Sequence, residues 1–294
     1  MKTPFLLLAA AVAVAGEGFY SSNKNIYELN PASFKDVVYN SNYTSVVEFY
    51  APWCGYCKQI KPVFSKLGKF LHGESKYAVN VAAVNCDEEI NKLLCARHKV
   101  QGFPTIMVFR PPKHSPGKKR AAKHVPEVFN GVRELAPMAE YVSSRIKNYV
   151  KKIFSVHSEL FASWLDSSEG PHKVVILTKS SMVSPLLRTL AIDFLDSVSF
   201  AAVNTDDLTG PTTITYNNEQ VEIPIKENEK YPVVLVYDSE ENKFHRYDGS
   251  VTKLPKVEKF IMAKTGAKPT EGRLSARGKK LAVYRGAAKV HDEL

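Results

Sequence analysis

The chain reads as an α/β protein built from two tandem domains of similar plan. Three observations predict this. Apolar segments of strand length alternate with helical segments in the order β-α-β-α-β-α-β-β-α as far as residue 148, and a fainter copy of that order follows. The run Val46-Val47-Glu48-Phe49-Tyr50 is apolar at every position but one, as in a central parallel strand covered on both faces. All four cysteines, at 54, 57, 86 and 95, lie in the first half, so the second half can do no dithiol chemistry.

The elements follow in order. Ile26–Leu29 is a short strand. Asn30 caps a helix whose first position is Pro31, where a missing N–H costs nothing, and the helix runs to about Asn40. The apolar strand over 46–50 leads directly into Trp53-Cys54-Gly55-Tyr56-Cys57, which opens a helix reaching about His72, with Pro62 as a kink point. Val79–Asn85 is the next strand, Glu88–Lys99 a helix and Pro104–Arg110 a strand. Val125–Asn130 pairs with that strand, and a helix from Arg133 to about Asn148 closes the domain. In the second half, helices are expected over 158–166, 185–195 and 256–264, and strands over 174–178, 199–203, 233–237 and 244–247. A polar stretch, 204–230, separates the two groups.

The ends carry addresses rather than fold. Residues 1–15 combine Lys2, an apolar run from Phe5 and the Ala13-x-Ala15 spacing of a cleaved secretory signal, and the run is too short to span a bilayer. His291-Asp292-Glu293-Leu294 is a retention signal of the endoplasmic reticulum, read by a receptor. The divisions expected are therefore signal peptide 1–15, a redox-active domain 20–150, a redox-inactive domain 151–265 and a basic tail 266–294. The compartment is the endoplasmic reticulum lumen, where disulfides persist. Asn42-Tyr43-Thr44 is a glycosylation sequon that this compartment can modify at Asn42.

The formal net charge is +10. The excess sits in two places: a loop with Lys118, Lys119, Arg120 and Lys123, and the tail with Lys268, Arg273, Arg277, Lys279, Lys280, Arg285 and Lys289. They read as a solvated loop and a flexible tail. Nucleic acid is not expected as a partner, nor is a membrane, because no internal segment is long and apolar enough to cross one. Acidic client chains or chaperones suit the charge.

Cys54-x-x-Cys57 after a buried strand and at a helix start is the pattern of a redox dithiol. The turn brings the sulfurs within bridging distance, and the helix N-terminus favours a thiolate on the first of them. Cys54 is then the nucleophile, exposed at the helix tip, and Cys57 the resolving thiol one turn inward. A static disulfide and a four-cysteine zinc site are the alternatives. The spacing of 86 and 95 is wide for a zinc knuckle, so no metal is expected. Glu48 interrupts the buried strand. An unpaired carboxylate there is costly, so it must be protonated, paired, hydrated or able to reach solvent at a strand edge. Near Cys57 it can relay that thiol's proton.

Residues 48–58, Glu-Phe-Tyr-Ala-Pro-Trp-Cys-Gly-Tyr-Cys-Lys, resemble the active-site segment of the protein disulfide isomerase family of the thioredoxin superfamily. Gln101-Gly102-Phe103-Pro104-Thr105 resembles that family's cis-proline loop. The likeness covers residues 25–148, and the whole plan is similar to that of small fungal members. It implies two thioredoxin-like domains. Pro104 would be cis and face the dithiol, and the backbone of Phe103 or Thr105, with Trp53, would hold an extended client. Arg133 would swing toward Cys57. Gly55 and Tyr56 would tune the redox poise, Tyr56 standing where many relatives have histidine. Ala83 stands where relatives often have a lysine beside the buried acid. Cys86 and Cys95 would form a structural disulfide, as related domains can, rather than two free thiols. Lys230-Tyr231-Pro232-Val233-Val234 resembles a degenerate cis-proline loop, leaving client binding and scaffolding open for the second domain.

The reading is a thiol–disulfide oxidoreductase that forms and rearranges disulfides in secretory proteins, without a cofactor. Its partners would be unfolded clients, an oxidase of the same compartment, resident chaperones and the retention receptor. The competing readings are a non-catalytic chaperone or adaptor, and a dedicated reductase.

Overall fold

The computed structural model describes residues 18–115, 124–206, 208 and 210–285. The expected signal peptide, the expected retention signal and the basic cluster Lys118, Lys119, Arg120 and Lys123 lie outside them.

In chain order the first half contains β1 (Tyr27–Glu28), α1 (Pro31–Phe34), β2 (Thr44–Tyr50), α2 (Gly55–Gly68), β3 (Val79–Asn85), α3 (Glu89–Arg97), β4 (Thr105–Arg110), β5 (Val125–Val128) and α4 (Leu135–Ser144). Asn30 caps α1 with its side-chain oxygen on the N–H groups of Ala32 and Ser33, as the sequence predicts. Both α1 and α2 end in a wider turn, over Lys35–Tyr39 and Lys69–Glu74. The sheet order is β1-β3-β2-β4-β5. β1, β3 and β2 run parallel, while β4 and β5 are antiparallel to their neighbours. β2 is therefore central, and every residue in it is buried. That explains its near-continuous apolar sequence: helices cover both faces, so no face needs to be polar.

The second half contains β6 (Val150–Ile153), α5 (Glu159–Leu165), β7 (His172–Thr178), α6 (Pro185–Asp193), β8 (Val198–Asn204), β9 (Thr212–Tyr216), β10 (Glu219–Ile223), β11 (Val233–Asp238), β12 (Lys243–Arg246) and α7 (Leu254–Thr265). Its sheet order, β12-β11-β7-β8-β6, repeats the first with the same strand directions. β7 thus occupies the place of β2. The cysteine-free helix α6 starts at Ser184, whose hydroxyl accepts the N–H of Leu187, the same contact that Cys54 makes with Cys57. Each half has a cis-proline before the first antiparallel strand of its five-stranded sheet, Pro104 before β4 and Pro232 before β11.

Three expectations need correction. The polar stretch 204–230 contains the hairpin β9–β10, turned by Asn217 and Asn218, both at positive φ. Asparagine tolerates that backbone region, and the turn sets the hairpin's register. β6 was not anticipated: its four residues alternate from buried to exposed to buried too briefly to show a period. As far as Arg285 the basic tail is not a flexible run, although Lys268, Arg273, Lys279 and Lys280 are exposed. After α7 it returns over the first sheet, forms α8 (Ala276–Leu281) and bridges edge strand β1 through Tyr27 and Arg285. Arg277 pairs with buried Glu271 and donates to the Asp36 carbonyl, Tyr284 donates to Asp36, and the Arg285 guanidinium lies 4.1 Å from the Tyr27 ring centre. Leu281 joins the core beneath α1.

The seam between the halves combines buried polar contacts with apolar ones, Ile192 and Leu195 joining the core of the first half. Thr189 Oγ1 accepts the Ala78 N–H at 2.8 Å. Tyr43 donates to Asp193, whose backbone carbonyl accepts the N–H groups of Thr270 and Glu271. Burial first, then the neighbouring Glu258 carboxyl, holds the Asp193 carboxyl well above its usual range.

Candidate active site

The dithiol sits where β2 ends. Trp53 and Cys54 follow the last strand residues, and Cys54 caps α2, its sulfur accepting the Cys57 N–H at 3.2 Å. The Cys54 thiol donates to the Phe103 carbonyl at 3.5 Å, so the dithiol faces the cis Phe103–Pro104 peptide. Both cysteines are free. Cys54 is only 7% exposed, which corrects the expectation of an exposed helix tip. It opens into a shallow groove lined by Trp53, Tyr56, Val100, Gln101 and Phe103. Cys57 is fully buried, one turn inward. Burial, reinforced by its hydrogen bond with Cys54, pushes its thiol up to about 12.

The groove is rimmed by aromatic groups. Trp53 and Tyr56 are 65% and 71% exposed, which is unusual for rings of this size. Trp53 is held in place: its indole N–H donates to Asp87 at 2.9 Å, and its ring meets Phe103 edge-on with centroids 5.9 Å apart. Thr105 donates its hydroxyl to the Gly102 carbonyl, closing the loop before β4. A Cβ at Gly55 would meet nothing within 4 Å, so space does not demand the glycine.

Glu48 is wholly buried at the centre of β2, opposite Ala83 on β3 and Ile106 on β4, so it reaches no strand edge. One carboxyl oxygen accepts the Tyr20 hydroxyl at 2.5 Å, and the other has no partner. Burial raises the carboxyl to about 7, against the lowering effect of the Tyr20 hydrogen bond. Arg133 is exposed, and its guanidinium donates to the Pro104 carbonyl at 3.2 Å rather than to a cysteine. Its charge acts on Glu48.

Tyr20, Glu28 and Asp87 were not anticipated. Tyr20 lies before the first strand, and its contact with Glu48 spans 28 residues with no local pattern to announce it. Glu28 gives one oxygen to the Tyr20 N–H and the other to the Tyr50 hydroxyl, and burial raises it to about 7.

The remaining cysteines, Cys86 and Cys95, are joined by a disulfide with Cα atoms 6.0 Å apart. It ties the end of β3 to α3. Asn42 is half-buried against the returning tail, its main-chain and side-chain N–H groups both on Glu271. A triad of Asp238, Glu241 and His245 lies close together on the β11–β12 hairpin. Glu241 there is already paired with Lys243, and the dithiol is elsewhere.

Comparison with known proteins agrees with this geometry. Residues 25–143 match the thioredoxin family model. Protein disulfide-isomerase MPD1 of Saccharomyces cerevisiae is 38% identical over 291 residues, covering 94% of this chain and 89% of that one. Protein disulfide-isomerase 2-3 of Arabidopsis thaliana is 43% identical over 168 residues, 57% of this chain and 30% of that one. Among solved structures, full-length ERdj5 superimposes with a TM-score of 0.45 at 15% identity, covering 83% of this chain and 33% of that one. A CxxC dithiol at the end of a central strand, and a relative matched over nearly its whole length, place the chain in the protein disulfide isomerase family, as a thiol–disulfide oxidoreductase of thioredoxin fold.

Proposed function

We propose that Cys54 and Cys57 carry the exchange in two steps, and that Glu48 handles the proton of the second. The Cys54 thiolate attacks one sulfur of a client disulfide. A Cys54–client bond forms, the client S–S bond breaks, and the second client sulfur leaves as a thiolate. In isomerisation that thiolate, or another client thiol, attacks the mixed disulfide, returning Cys54 with no net change of oxidation state. In reduction Cys57 gives its proton to Glu48 and attacks the Cys54 sulfur. The Cys54–Cys57 bond forms and the client leaves with two electrons. The reverse path oxidises a client dithiol. The observation that carries this reading is the position of Cys54 at the cap of α2, with Cys57 N–H on its sulfur and the Phe103 carbonyl alongside.

An extended client segment suits the backbone beside Phe103 and Thr105, with Trp53 and Tyr56 as an apolar rim. Arg133 is assigned to stabilising charge near Glu48 and the loop carbonyl. The chain's work belongs in the endoplasmic reticulum lumen, on the strength of residues 1–15, His291–Leu294 and the family. None of the described helices is long and apolar enough to cross a membrane. Its partners there would be unfolded secretory chains, an oxidase, chaperones and the retention receptor.

Cys54→Ser tests the enzyme reading against a pure holdase. The variant loses refolding of a scrambled disulfide substrate while continuing to suppress aggregation. Cys57→Ala accumulates mixed disulfides through Cys54. Refolding by Cys54→Ser at the wild-type rate refutes the assignment.

A further inference from the structure

Glu48 forms no ion pair among the described residues, although it is fully buried. Its one hydrogen-bond partner is the Tyr20 phenol, and its other oxygen is unpartnered. Resting on the assignment of Glu48 as the group that takes the Cys57 proton, we infer that Tyr20 is a positioning residue of this site: its phenol, locked in the core, is the donor that makes Glu48 a working base at neutral pH.

Four contacts fix the phenol. The Tyr20 ring is 1% exposed and packs edge-on against Phe19 and Tyr50 and at a tilt against Phe64, with centroids 5.7–6.3 Å away. Its backbone N–H is held by Glu28 at 2.8 Å. Glu28 also accepts the Tyr50 hydroxyl at 2.7 Å, and that hydroxyl accepts the Phe19 N–H at 2.8 Å. The segment before β1 is thus stitched to the sheet at Phe19 and Tyr20, and the phenol donates to Glu48. Burial and the adjacent Glu48 raise the phenol far above its usual value, so it remains a donor at every physiological pH.

The direction of the effect follows from the charges that face Glu48. Tyr20 and Arg133 lower it, while burial and Glu28 raise it. Cys57, from α2, is the thiol whose ionisation Glu48 opposes while charged. Burial alone would keep the carboxyl protonated through neutral pH, with no capacity to accept a proton. A hydrogen bond that favours the charged form brings it back to about 7, where it is half ionised and can both take and release a proton. In the resolving step the Cys57 proton passes to the Glu48 carboxylate as the Cys57 sulfur attacks the Cys54 sulfur. The client sulfur leaves with the bonding electron pair and is protonated by water. Glu48 then returns its proton to solvent.

The test separates the two thiols. Reduced protein is mixed with one equivalent of an aromatic disulfide that releases a coloured thiolate. The first release reports attack by Cys54 and the second attack by Cys57, followed by stopped flow from pH 5 to 9.5. In Tyr20→Phe the ring and its packing remain, and only the donor is lost. The second release is expected to slow about fivefold at pH 7, its midpoint to move up by about one unit, and its rate to rejoin wild type above about pH 9. A fluorinated tyrosine at position 20, a stronger donor, is expected to move the midpoint down, and it keeps the test open if the phenylalanine variant folds poorly. In Glu48→Gln the midpoint near 7 is expected to disappear. Infrared titration of the protonated carboxyl band, absent in Glu48→Gln, reads the same shift directly. A Tyr20→Phe midpoint equal to wild type, with Glu48→Gln altered, overturns the role of Tyr20 alone. A Glu48→Gln profile equal to wild type overturns the assignment of Glu48, and this inference with it.

Discussion

Glu48→Gln should make the protein more stable at alkaline pH while slowing its resolving step. The Glu48 carboxyl rises from 4.5 to about 7 on folding because burial penalises its charge. A group whose folded value is raised favours the fold most below its unfolded value, and that contribution is lost as pH climbs toward the folded value. Folding with Glu48 ionised therefore carries a penalty that grows between pH 4.5 and 7 and then levels off. With these two values the penalty is about 0.8 kcal/mol at pH 5 and about 3.4 kcal/mol at pH 8.5. Glutamine has no charge to bury, and its carbonyl still accepts the Tyr20 hydroxyl. Wild type should thus lose about 2.5 kcal/mol more than Glu48→Gln between those pH values. Glu28, also raised to about 7 by burial, adds a slope of its own to both proteins, so the test reads the difference between them. The assay is urea unfolding in a Trp164→Phe background, so that Trp53, the only other tryptophan, reports on the first half. Parallel pH dependence in the two proteins would refute the placement of an uncompensated acid in β2.

Other consequences can be checked with simpler variants. Removing the Cys86–Cys95 bridge by paired alanine substitution opens a closure of nine residues and should lower stability by about 2.5 kcal/mol in chemical denaturation, with exchange activity kept at 25 °C. An unchanged denaturation midpoint contradicts this. Asp193→Asn removes an acid whose folded value is raised, so the loss of stability of the seam with rising pH should flatten; melting temperatures across pH 5–9 that track wild type count against it. Arg285→Ala removes the cation beside the Tyr27 ring, and amide exchange at Tyr27–Leu29 should quicken about tenfold. No change there means the tail is not what protects edge strand β1.

Sequence exposed the parts of this site whose pattern is local. The Cys54–Cys57 spacing, the apolar run around Glu48 and the Phe103–Pro104 loop each announce themselves within a few residues. Burial of Glu48 was legible because a lone acid in an apolar strand has nowhere polar to go. Its partner was not, because Tyr20 lies in a segment with no period and meets Glu48 only through the fold. The tail misled for a related reason. Arginines read as solvated, but Arg277 finds the Asp36 carbonyl and Arg285 the Tyr27 ring, neither of them near in sequence. The hairpin β9–β10 was hidden by its composition, since threonine and glutamate dominate strands of which only one face is buried. The Asn217-Asn218 turn was the signal that could have found it.

Among the described residues the chain crosses between its halves twice, once through the segment joining α4 to β6 and once through the returning tail that locks onto Asp193, Asn42 and Asp36. A body strapped at two points behaves as a splint, not as a pair of jaws. The span from the reactive sulfur to the cysteine-free sheet is then a fixed ruler, and a client touching both must itself bend to fit.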